Sequence, residues 1–293
     1  IEFSKLQLAD KWILSRLARV NQESSRLYQK FALGEAAKSL YEFAWNDFCD
    51  WYLELIKRRI NINKDATESE LLDQKVAQQV LVKVLTDLYI MLNPLMPHLT
   101  EELWHALTGA SQSTILANQN WPKTNNLFLN QELETSFIDL FSSIRLVRNL
   151  RSIAGFKPSQ LIPIRYITNK SNFSKIIQSM RADISYLLRI SDLEILDSKR
   201  ANNKSSDRSL AGVIGDLEVV LPIEGLVDIE SLRHRLEKDL EKANKEITVL
   251  SRRLDNKNFS EKAPSNIVNE CKSKLADWQI QAELAQKRLA DLL

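Results

Sequence analysis

Residues 229–293 carry the pattern that most constrains the fold of this chain. A first run of apolar residues recurs at steps of three and four, with one pair of consecutive four-residue steps: Ile229, Leu232, Leu236, Leu240, Ala243, Ile247, Leu250 and Leu254. After a polar link and Ala263–Pro264, a second run alternates between the two steps without a break: Val268, Cys271, Leu275, Trp278, Ala282, Ala285, Leu289 and Leu292. This spacing places the apolar side chains in one seam along each helix. It predicts two facing helices of about 28 residues, each roughly 42 Å long, that form an antiparallel coiled-coil hairpin.

The first half of the chain shows the longer apolar periodicity of amphipathic helices. The pattern predicts helices at 9–30, 35–60 and 69–92, another after Pro97, and one near 131–153. The connections between the first four are short, and short connections between long helices are typical of an antiparallel bundle. Only six glycines and seven prolines occur in 293 residues, which also favours a mainly α protein.

A shorter segment between the bundle and the hairpin has mixed character. Residues 161–168 alternate like a strand, 172–188 read as a helix and 192–196 as a second strand. Two apolar runs meet at Gly215–Asp216, a pair that fits the tight turn of a β-hairpin. The polar segment 198–209 reads as a mobile link. We therefore expect a small α+β unit, and three domains in all: a helical domain at 1–155, the α+β domain at 156–225 and a coiled-coil arm at 226–293.

Composition narrows the setting in which the chain works. No run of apolar residues approaches the length of roughly 18 that a membrane span needs. The two cysteines, Cys49 and Cys271, lie far apart and suit a reducing cytoplasm better than a disulfide framework. The chain opens with Ile-Glu-Phe-Ser and no methionine, so we expect a fragment of a longer polypeptide. We expect a cytoplasmic monomer.

Positive charge is concentrated in the middle of the chain. Residues 141–208 contain 13 Lys and Arg against five Asp and Glu, a net charge of +8, whereas the whole chain carries only +2. A block of this kind is the footprint of a polyanionic partner such as RNA, although a solvated basic surface gives the same count.

Two clusters of acidic and imidazole side chains could in principle do chemistry. Asp47, Asp50 and Glu54 share one face of the helix at 35–60, and residues 98–105 place two histidines and two glutamates on one helix. Neither cluster comes with a nucleophile, a glycine-rich loop or the spacing of a zinc site. We therefore predict no catalytic, cofactor or metal site, and read the acids as contacts that hold the bundle or meet a neighbouring domain.

The candidate phosphate contacts are basic side chains that recur along helices. Arg145, Arg148 and Arg151 form a ridge at every third residue, a spacing that fits phosphates along a nucleic-acid backbone. Near the N-terminus Trp12, Arg16 and Arg19 share a face, which could stack on bases, although we favour a core position for Trp12. The full set of predicted contacts is Arg16, Lys57, Arg145, Arg148, Arg151, Lys157, Arg233, Lys242 and Arg252.

The order of several sequence stretches resembles a known family. The stretches DKWILSRLARVN, FALGEAAKSLYEFAWNDFCDWYLELIK and LNPLMPHLTEELWHAL follow the order seen in the anticodon-binding domain of class I aminoacyl-tRNA synthetases, and the wording WNDFCDWYLE resembles the valyl-tRNA synthetases. IRLVRNLRSIAGFKPSQ is similar to the next segment of those enzymes. GLVDIESLRHRLEKDLEKANKEI and LDNKNFSEKAPSNIVNECKSKL resemble their C-terminal coiled-coil arm.

The resemblance covers nearly the whole chain and implies a division of labour. The bundle would grip the anticodon stem-loop of valine tRNA, and the arm would brace the outer corner of the tRNA. The family activates valine with ATP and Mg²⁺, transfers it to tRNA and edits misactivated threonine, but the motifs of that chemistry do not occur in these residues. The resemblance thus implies a tRNA-binding portion, inert alone, that works with the N-terminal catalytic domain of the same polypeptide. Two alternatives stay open: a helical protein–protein scaffold and a stand-alone synthetase-like RNA-binding accessory.

Overall fold

A computed structural model describes residues 2–63, 65–111, 113–123, 126–197, 208–256, 259 and 264–291. The chain divides into two compact units. The first contains Ile1–Phe141 and Asn172–Leu187, and the second contains Ser142–Ser171 and Leu188–Leu293. This division groups the residues differently from the three predicted domains, because one helix contributes to both units; the boundaries of those domains stay predictions. The predicted link at 198–209 lies almost wholly outside the described residues.

The first unit is a helical bundle, as predicted. Its helices are α1 (Leu8–Gln29), α2 (Leu33–Glu42), a π-helical segment (Phe43–Tyr52), α3 (Leu53–Ile60), α4 (Glu68–Leu92), α5 (Pro97–Thr108), the start of α6 (Gln131–Ala154), α7 (Ser171–Ser179) and α8 (Arg181–Leu188). Local signals fix several ends. Thr67 and Glu70 form a reciprocal cap at the start of α4, Pro97 opens α5, and Gly109 closes it with a left-handed backbone. The single helix predicted at 172–188 is two helices, because the chain turns at the buried Met180.

The π-helical segment is a departure from the regular helix that the sequence predicted at 35–60. At its end the N–H of Leu53 bonds to the carbonyl of Phe48, five residues earlier. The wider turns place Phe43 and Phe48 in the core although they are five residues apart. An α-helix would have rotated one of them away from the core, so the five-residue step is the trace of the π geometry in the sequence.

An aromatic cluster forms the centre of the bundle. The Trp12 and Phe137 rings stack in parallel with centroids 5.1 Å apart, and Phe141 meets Trp12 edge-on at 5.0 Å. Trp51 stacks on Phe141, with the two ring centroids 3.9 Å apart. Trp12 is only 2% exposed, which confirms its predicted core position and removes it as a stacking surface for bases.

The second unit contains a four-stranded sheet and a helical hairpin. The strands are β1 (Ile162–Ile167), β2 (Ile190–Leu196), β3 (Ser209–Ile214) and β4 (Leu217–Pro222), in the order β2-β1-β4-β3. β1 runs parallel to β2 and antiparallel to β4. The predicted β3–β4 turn at Gly215–Asp216 is confirmed, with Ile214 opposite Leu217 and a left-handed Gly215.

The hairpin consists of α9 (Ile229–Asp255) and α10 (Ser265–Asp291), which pack along each other. The predicted seam faces inward: Leu232, Leu236, Ala243, Leu250, Val268, Cys271, Ala282 and Ala285 are buried. The remaining predicted seam positions from Leu240 to Leu289 are half-buried. Asp228 caps α9 by accepting hydrogen bonds from two backbone N–H groups of its first turn. The predicted combination of bundle, small α+β unit and helical arm is thus confirmed.

Candidate nucleic-acid interface

The predicted ridge on α6 divides into exposed and buried members. Arg145 and Arg148 lie on the exposed face of the helix, and Lys157 is exposed in the turn that follows it. These three side chains belong to the second unit and can reach a ligand in solvent. Their contact with RNA stays a prediction.

Arg151, the third member of the ridge, is occupied inside the second unit. Its side chain is 9% exposed and donates hydrogen bonds to the carbonyl oxygens of Leu188 at 3.1 Å, Lys157 at 3.0 Å and Gln160 at 2.9 Å. Burial lowers the pKa of this guanidinium. The i+3 spacing made Arg151 look like a phosphate contact, but the drift of that spacing around the helix carries it into the core. We therefore leave it out of the interface.

A second arginine holds the same turn. The Arg235 guanidinium donates to the carbonyl of Ala154 at the end of α6, and it occupies the space into which a side chain on Gly155 would point. Gly155 has a left-handed backbone (φ 76°). The two arginines thus satisfy backbone carbonyls after the last turn of α6 and fix the loop that carries Lys157.

The predicted cations of the hairpin are exposed side chains of α9. Arg233, Lys242 and Arg252 are all exposed. Arg233 bonds to Glu237 one turn later at 3.1 Å, and the Lys242 ammonium lies 5.8 Å from the centroid of the Trp278 ring. Such exposed contacts contribute little to stability and can be exchanged for phosphate contacts.

The two predicted cations of the first unit have carboxylate partners. Arg16 bonds to Asp47 at 2.8 Å and to Glu134 at 3.2 Å, and Arg19 shares Glu134. Although burial opposes the shift, Asp47 and Glu134 raise the pKa of Arg16. Lys57 pairs with Glu54 within one helix and is about half exposed. Arg16 is thus part of an internal network, whereas Lys57 stays on the surface.

The acidic and imidazole clusters join the surrounding structure. Asp47 holds Arg16 of α1, which confirms the predicted bundle contact for this residue. Glu101 accepts from the Leu116 N–H and lies 3.2 Å from the His105 ring. Within the described ranges, no group of three or more His, Cys, Asp and Glu side chains is placed to hold a metal ion.

The sequence reasoning missed a pair of exposed aromatics on the bundle. The Tyr41 and Trp45 rings are stacked, 6.4 Å apart and 3° from parallel, yet they are 63% and 56% exposed. Phe31, in the turn between α1 and α2, is 87% exposed and has a left-handed backbone (φ 57°). Large exposed aromatics offer stacking surfaces to unpaired bases. The π geometry after Glu42 could have been inferred from the five-residue core step, and it leaves Trp45 outside.

Comparison with known proteins adds the family. The model of the family described as "Anticodon-binding domain of tRNA ligase" matches residues 10–166. This chain belongs to that family. A second family, described as "Valyl tRNA synthetase tRNA binding arm", matches residues 228–293 and so covers the helical hairpin. The resemblance drawn from the sequence stretches is confirmed for both segments.

Two similar proteins are valine--tRNA ligases. Valine--tRNA ligase of Prochlorococcus marinus (strain NATL2A) is 58% identical over 289 residues, which are 99% of this chain and 31% of the relative. Valine--tRNA ligase of Synechocystis sp. (strain ATCC 27184 / PCC 6803 / Kazusa) is 38% identical over 284 residues, 97% of this chain and again 31% of the relative. The chain therefore spans about a third of the length of the curated relatives it matches. Among the helices that the structure describes, none is long and apolar enough to cross a membrane.

Proposed function

We propose that this chain is the tRNA-binding part of a valine–tRNA ligase. The observation that carries the proposal is the presence, in order on one chain, of an anticodon-binding domain and a valyl-tRNA synthetase tRNA-binding arm. The bundle holds the anticodon stem-loop of valine tRNA, and the helical hairpin holds its outer corner. The chain supplies binding and orientation.

The chemistry belongs to the longer enzyme. That enzyme joins valine to tRNA with ATP and Mg²⁺ and removes misactivated threonine, and we assign these steps to its catalytic and editing domains. The rest of the ligase is then a partner of this chain. An exposed apolar stripe on α5, made by Met96, Leu99 and Leu103 at steps of three and four, supports contact with another protein surface. We propose a monomer in the cytoplasm, where the free thiols of Cys49 and Cys271 stay reduced.

The second unit supplies the contacts to the RNA backbone. Arg145, Arg148 and Lys157 are exposed on or beside α6, and Arg233, Lys242 and Arg252 are exposed on α9. Lysine and arginine on a surface bind phosphates without reading sequence, and each contact releases counterions from the RNA. These six side chains therefore set affinity and its dependence on salt. In the first unit Lys57 has the same role.

The first unit supplies contacts to unpaired bases. Tyr41 and Trp45 present parallel rings on the outside of the bundle, with Lys38 one turn before Tyr41 on the same face. Stacking on an aromatic ring is worth about 1–3 kcal/mol per base. An anticodon loop offers such bases, whereas a paired stem does not.

Binding of the purified chain to valine tRNA across a salt series tests the proposal. We expect tighter binding to valine tRNA than to a non-cognate tRNA, a steep loss of affinity with salt, and loss of the preference when the anticodon loops are exchanged. Weak, equal binding of both tRNAs would reduce the role of the chain to a general RNA contact. The absence of any RNA binding would overturn the proposal in favour of a protein–protein scaffold.

A further inference from the structure

A cavity in the second unit lies between the end of α6 and the two helices of the hairpin. Its volume is about 390 Å³, which is within the range of roughly 300–1,000 Å³ that small-molecule sites occupy. The floor is apolar and includes Ile153, Leu236 and Ala285. Polar side chains from all three helices surround this floor: Asn149 from α6, Asp239 and Lys242 from α9, and Trp278, Gln281 and Arg288 from α10.

Trp278 supplies an aromatic surface inside this cavity. It is half-buried, and the Lys242 ammonium lies 5.8 Å from its ring centroid. The other five tryptophans of the chain all precede residue 122. When a flat heterocycle stacks on this indole in place of the ammonium, the displaced cation can meet an anionic substituent of the heterocycle.

Arg288 supplies a second cation that has not been neutralised. It is half-buried, and burial lowers the pKa of its guanidinium, which the charge of Asp239 only partly offsets. Among the residues that the structure describes, no hydrogen bond or ion pair is made by its side chain. Placing a guanidinium in a partly dry site without a direct partner costs free energy, and an incoming anion would recover it. Lys242 and Arg288 together outweigh the single negative charge of Asp239.

The remaining polar groups can read the edge of a base. Asn149 and Gln281 each carry an amide donor and an acceptor, and Asp239 carries two acceptor oxygens. A guanine base presents two adjacent N–H donors on its Watson–Crick edge, which a carboxylate accepts together. An adenine base presents one donor next to an acceptor on that edge, and the acceptor would face the carboxylate unpaired.

From this combination we infer that the cavity binds a guanine nucleotide, with the base stacked on Trp278 and paired with Asp239, and the phosphate held by Lys242 and Arg288. The nucleotide can be an unpaired residue of an RNA or a free 5′-nucleotide, because both present the same groups. The RNA source rests on the proposed function, whereas the free nucleotide does not. Nothing is transferred or cleaved in this step, which is binding alone.

The test uses the full chain labelled with 5-fluorotryptophan. The six tryptophans give separate fluorine resonances, and a Trp278→Leu variant assigns the one in the cavity. We expect 5′-GMP, titrated into the millimolar range, to shift the Trp278 resonance and leave the other five in place. We expect 5′-AMP and 5′-CMP to shift it at least about tenfold less effectively. A short single-stranded RNA that contains guanines is the second arm, and its polyadenylate counterpart is the control.

Three substitutions define the expected contacts without relying on Trp278. Arg288→Gln should weaken 5′-GMP binding about tenfold, and Asp239→Asn should remove the preference for guanine over adenine. Lys272→Gln changes an exposed cation on the same helix that does not line the cavity, and it should change neither. Circular dichroism of each variant confirms that the hairpin is still helical.

The possible outcomes separate this inference from the proposed function. A Trp278 resonance that moves with neither 5′-GMP nor guanine-containing RNA overturns the inference, even when the chain binds valine tRNA. A shift with 5′-GMP in a chain that binds no tRNA supports the free nucleotide and counts against the proposed function. Equal shifts with 5′-GMP and 5′-AMP, unchanged by Asp239→Asn, overturn the assignment of guanine.

Discussion

A network of buried charged side chains joins three helices of the bundle. Arg59 is 3% exposed and donates to Asp10 at 2.8 Å and to both oxygens of Asp73. The Tyr52 hydroxyl donates to the same Asp10, which is fully buried. Although burial opposes the shift, Asp10 and Asp73 raise the pKa of Arg59. The network joins α1, α3 and α4 at one point.

Removal of the arginine should therefore be costly. We expect Arg59→Met to lower the free energy of opening of the bundle by about 3–5 kcal/mol, because the buried Asp10 loses its cationic partner. Hydrogen exchange of the α1 and α4 amides measures this locally, without a two-state assumption for the whole chain. The matched control is Arg26→Met, since Arg26 pairs with Glu23 on the surface and should cost less than about 1 kcal/mol. Equal effects of the two variants would show that the buried network is not the main contribution.

Glu134 should give the bundle a defined dependence on pH. Burial opposes the shift, but hydrogen bonds from Arg19, Ser15 and Arg16 lower its pKa below the ordinary value of 4.5. A lowered carboxyl pKa contributes stability that is complete above the unfolded pKa and is lost as the pH falls through the folded pKa. We expect Glu134→Gln to destabilise the bundle by about 2 kcal/mol at neutral pH, and the difference from the parent to shrink once the pH falls below this ordinary value.

Unfolding midpoints measured from pH 7 down to strongly acidic pH check this prediction. Glu102→Gln, an exposed glutamate on α5, is the control and should give a difference that does not depend on pH in this way. A Glu134→Gln difference that stays constant on acidification would contradict the assigned ionic network. Asp47 is expected to act in the opposite direction, because burial raises its pKa despite Arg16.

The arginines show how far the roles of single residues could be predicted from the sequence. The sequence identified Arg145, Arg148 and Arg151 as one group, because their residue types and spacing are the same. The structure separates them, since Arg151 is turned towards carbonyls that come from residues 157–160 and 188. Arg16 changed its role in a similar way through Glu134, more than 100 residues away. Contacts between distant parts of the chain leave no periodic trace.

At the scale of elements, the spacing of apolar residues predicted the helices and the hairpin turn, but it did not predict local departures from regular helix geometry. The seams of α9 and α10 and the β3–β4 turn follow from steps of three and four and from one Gly-Asp pair. The π-helical segment was not predicted, because the five-residue step from Phe43 to Phe48 was read as part of a regular helix. The break at Met180 was not predicted, because the apolar residues on both sides of it keep a helical pattern. Both features change the direction of the side chains that follow them by a fraction of a helical turn. In the π-helical segment this change leaves Trp45 on the surface.

Substitutions of glycine test whether Arg235 stabilises the turn that ends α6. Gly155 and Gly215 both have left-handed backbones, but only Gly155 faces a neighbour, the Arg235 guanidinium at 2.5 Å from an added Cβ. We expect Gly215→Ala to cost about 1 kcal/mol from backbone strain alone. Gly155→Ala should cost about 1–2 kcal/mol more, because Arg235 must release the Ala154 carbonyl.

Hydrogen exchange of the β4 and α9 amides in the second unit measures both costs. In an Arg235→Gln background the extra cost of Gly155→Ala should largely disappear, since the shorter side chain leaves the space open. If the two glycine variants cost the same in the parent chain, the arginine does not hold this turn.

At the scale of the whole molecule, two kinds of surface are proposed to share the work of binding RNA. The cations of the second unit give affinity without sequence, and the aromatic pair of the first unit gives preference for unpaired bases. The family and the fold could be predicted from the sequence because the order of motifs runs along almost the entire chain. The distribution of roles among individual side chains could not, because exposure depends on packing.

Substitutions on the two surfaces should therefore change different properties of RNA binding. We expect Arg233→Gln, Lys242→Gln and Arg252→Gln together to lower the slope of log affinity against log salt by up to about 2, with the preference for valine tRNA unchanged. We expect Tyr41→Ala with Trp45→Ala to reduce that preference and leave the salt slope as it was, because stacking releases no counterions. Filter binding to valine tRNA and to a tRNA with an exchanged anticodon loop, each across a salt series, measures both quantities.

A second triple variant is the control for the predicted change in salt slope. Lys238, Lys245 and Lys287 are exposed cations of the same hairpin that lie outside the predicted set, so their replacement by glutamine removes the same net charge. An equal loss of slope in both triple variants would mean that the arm acts through its total charge and that the three named side chains are not contacts. A loss confined to Arg233, Lys242 and Arg252 would assign the backbone contacts of the arm to these three side chains.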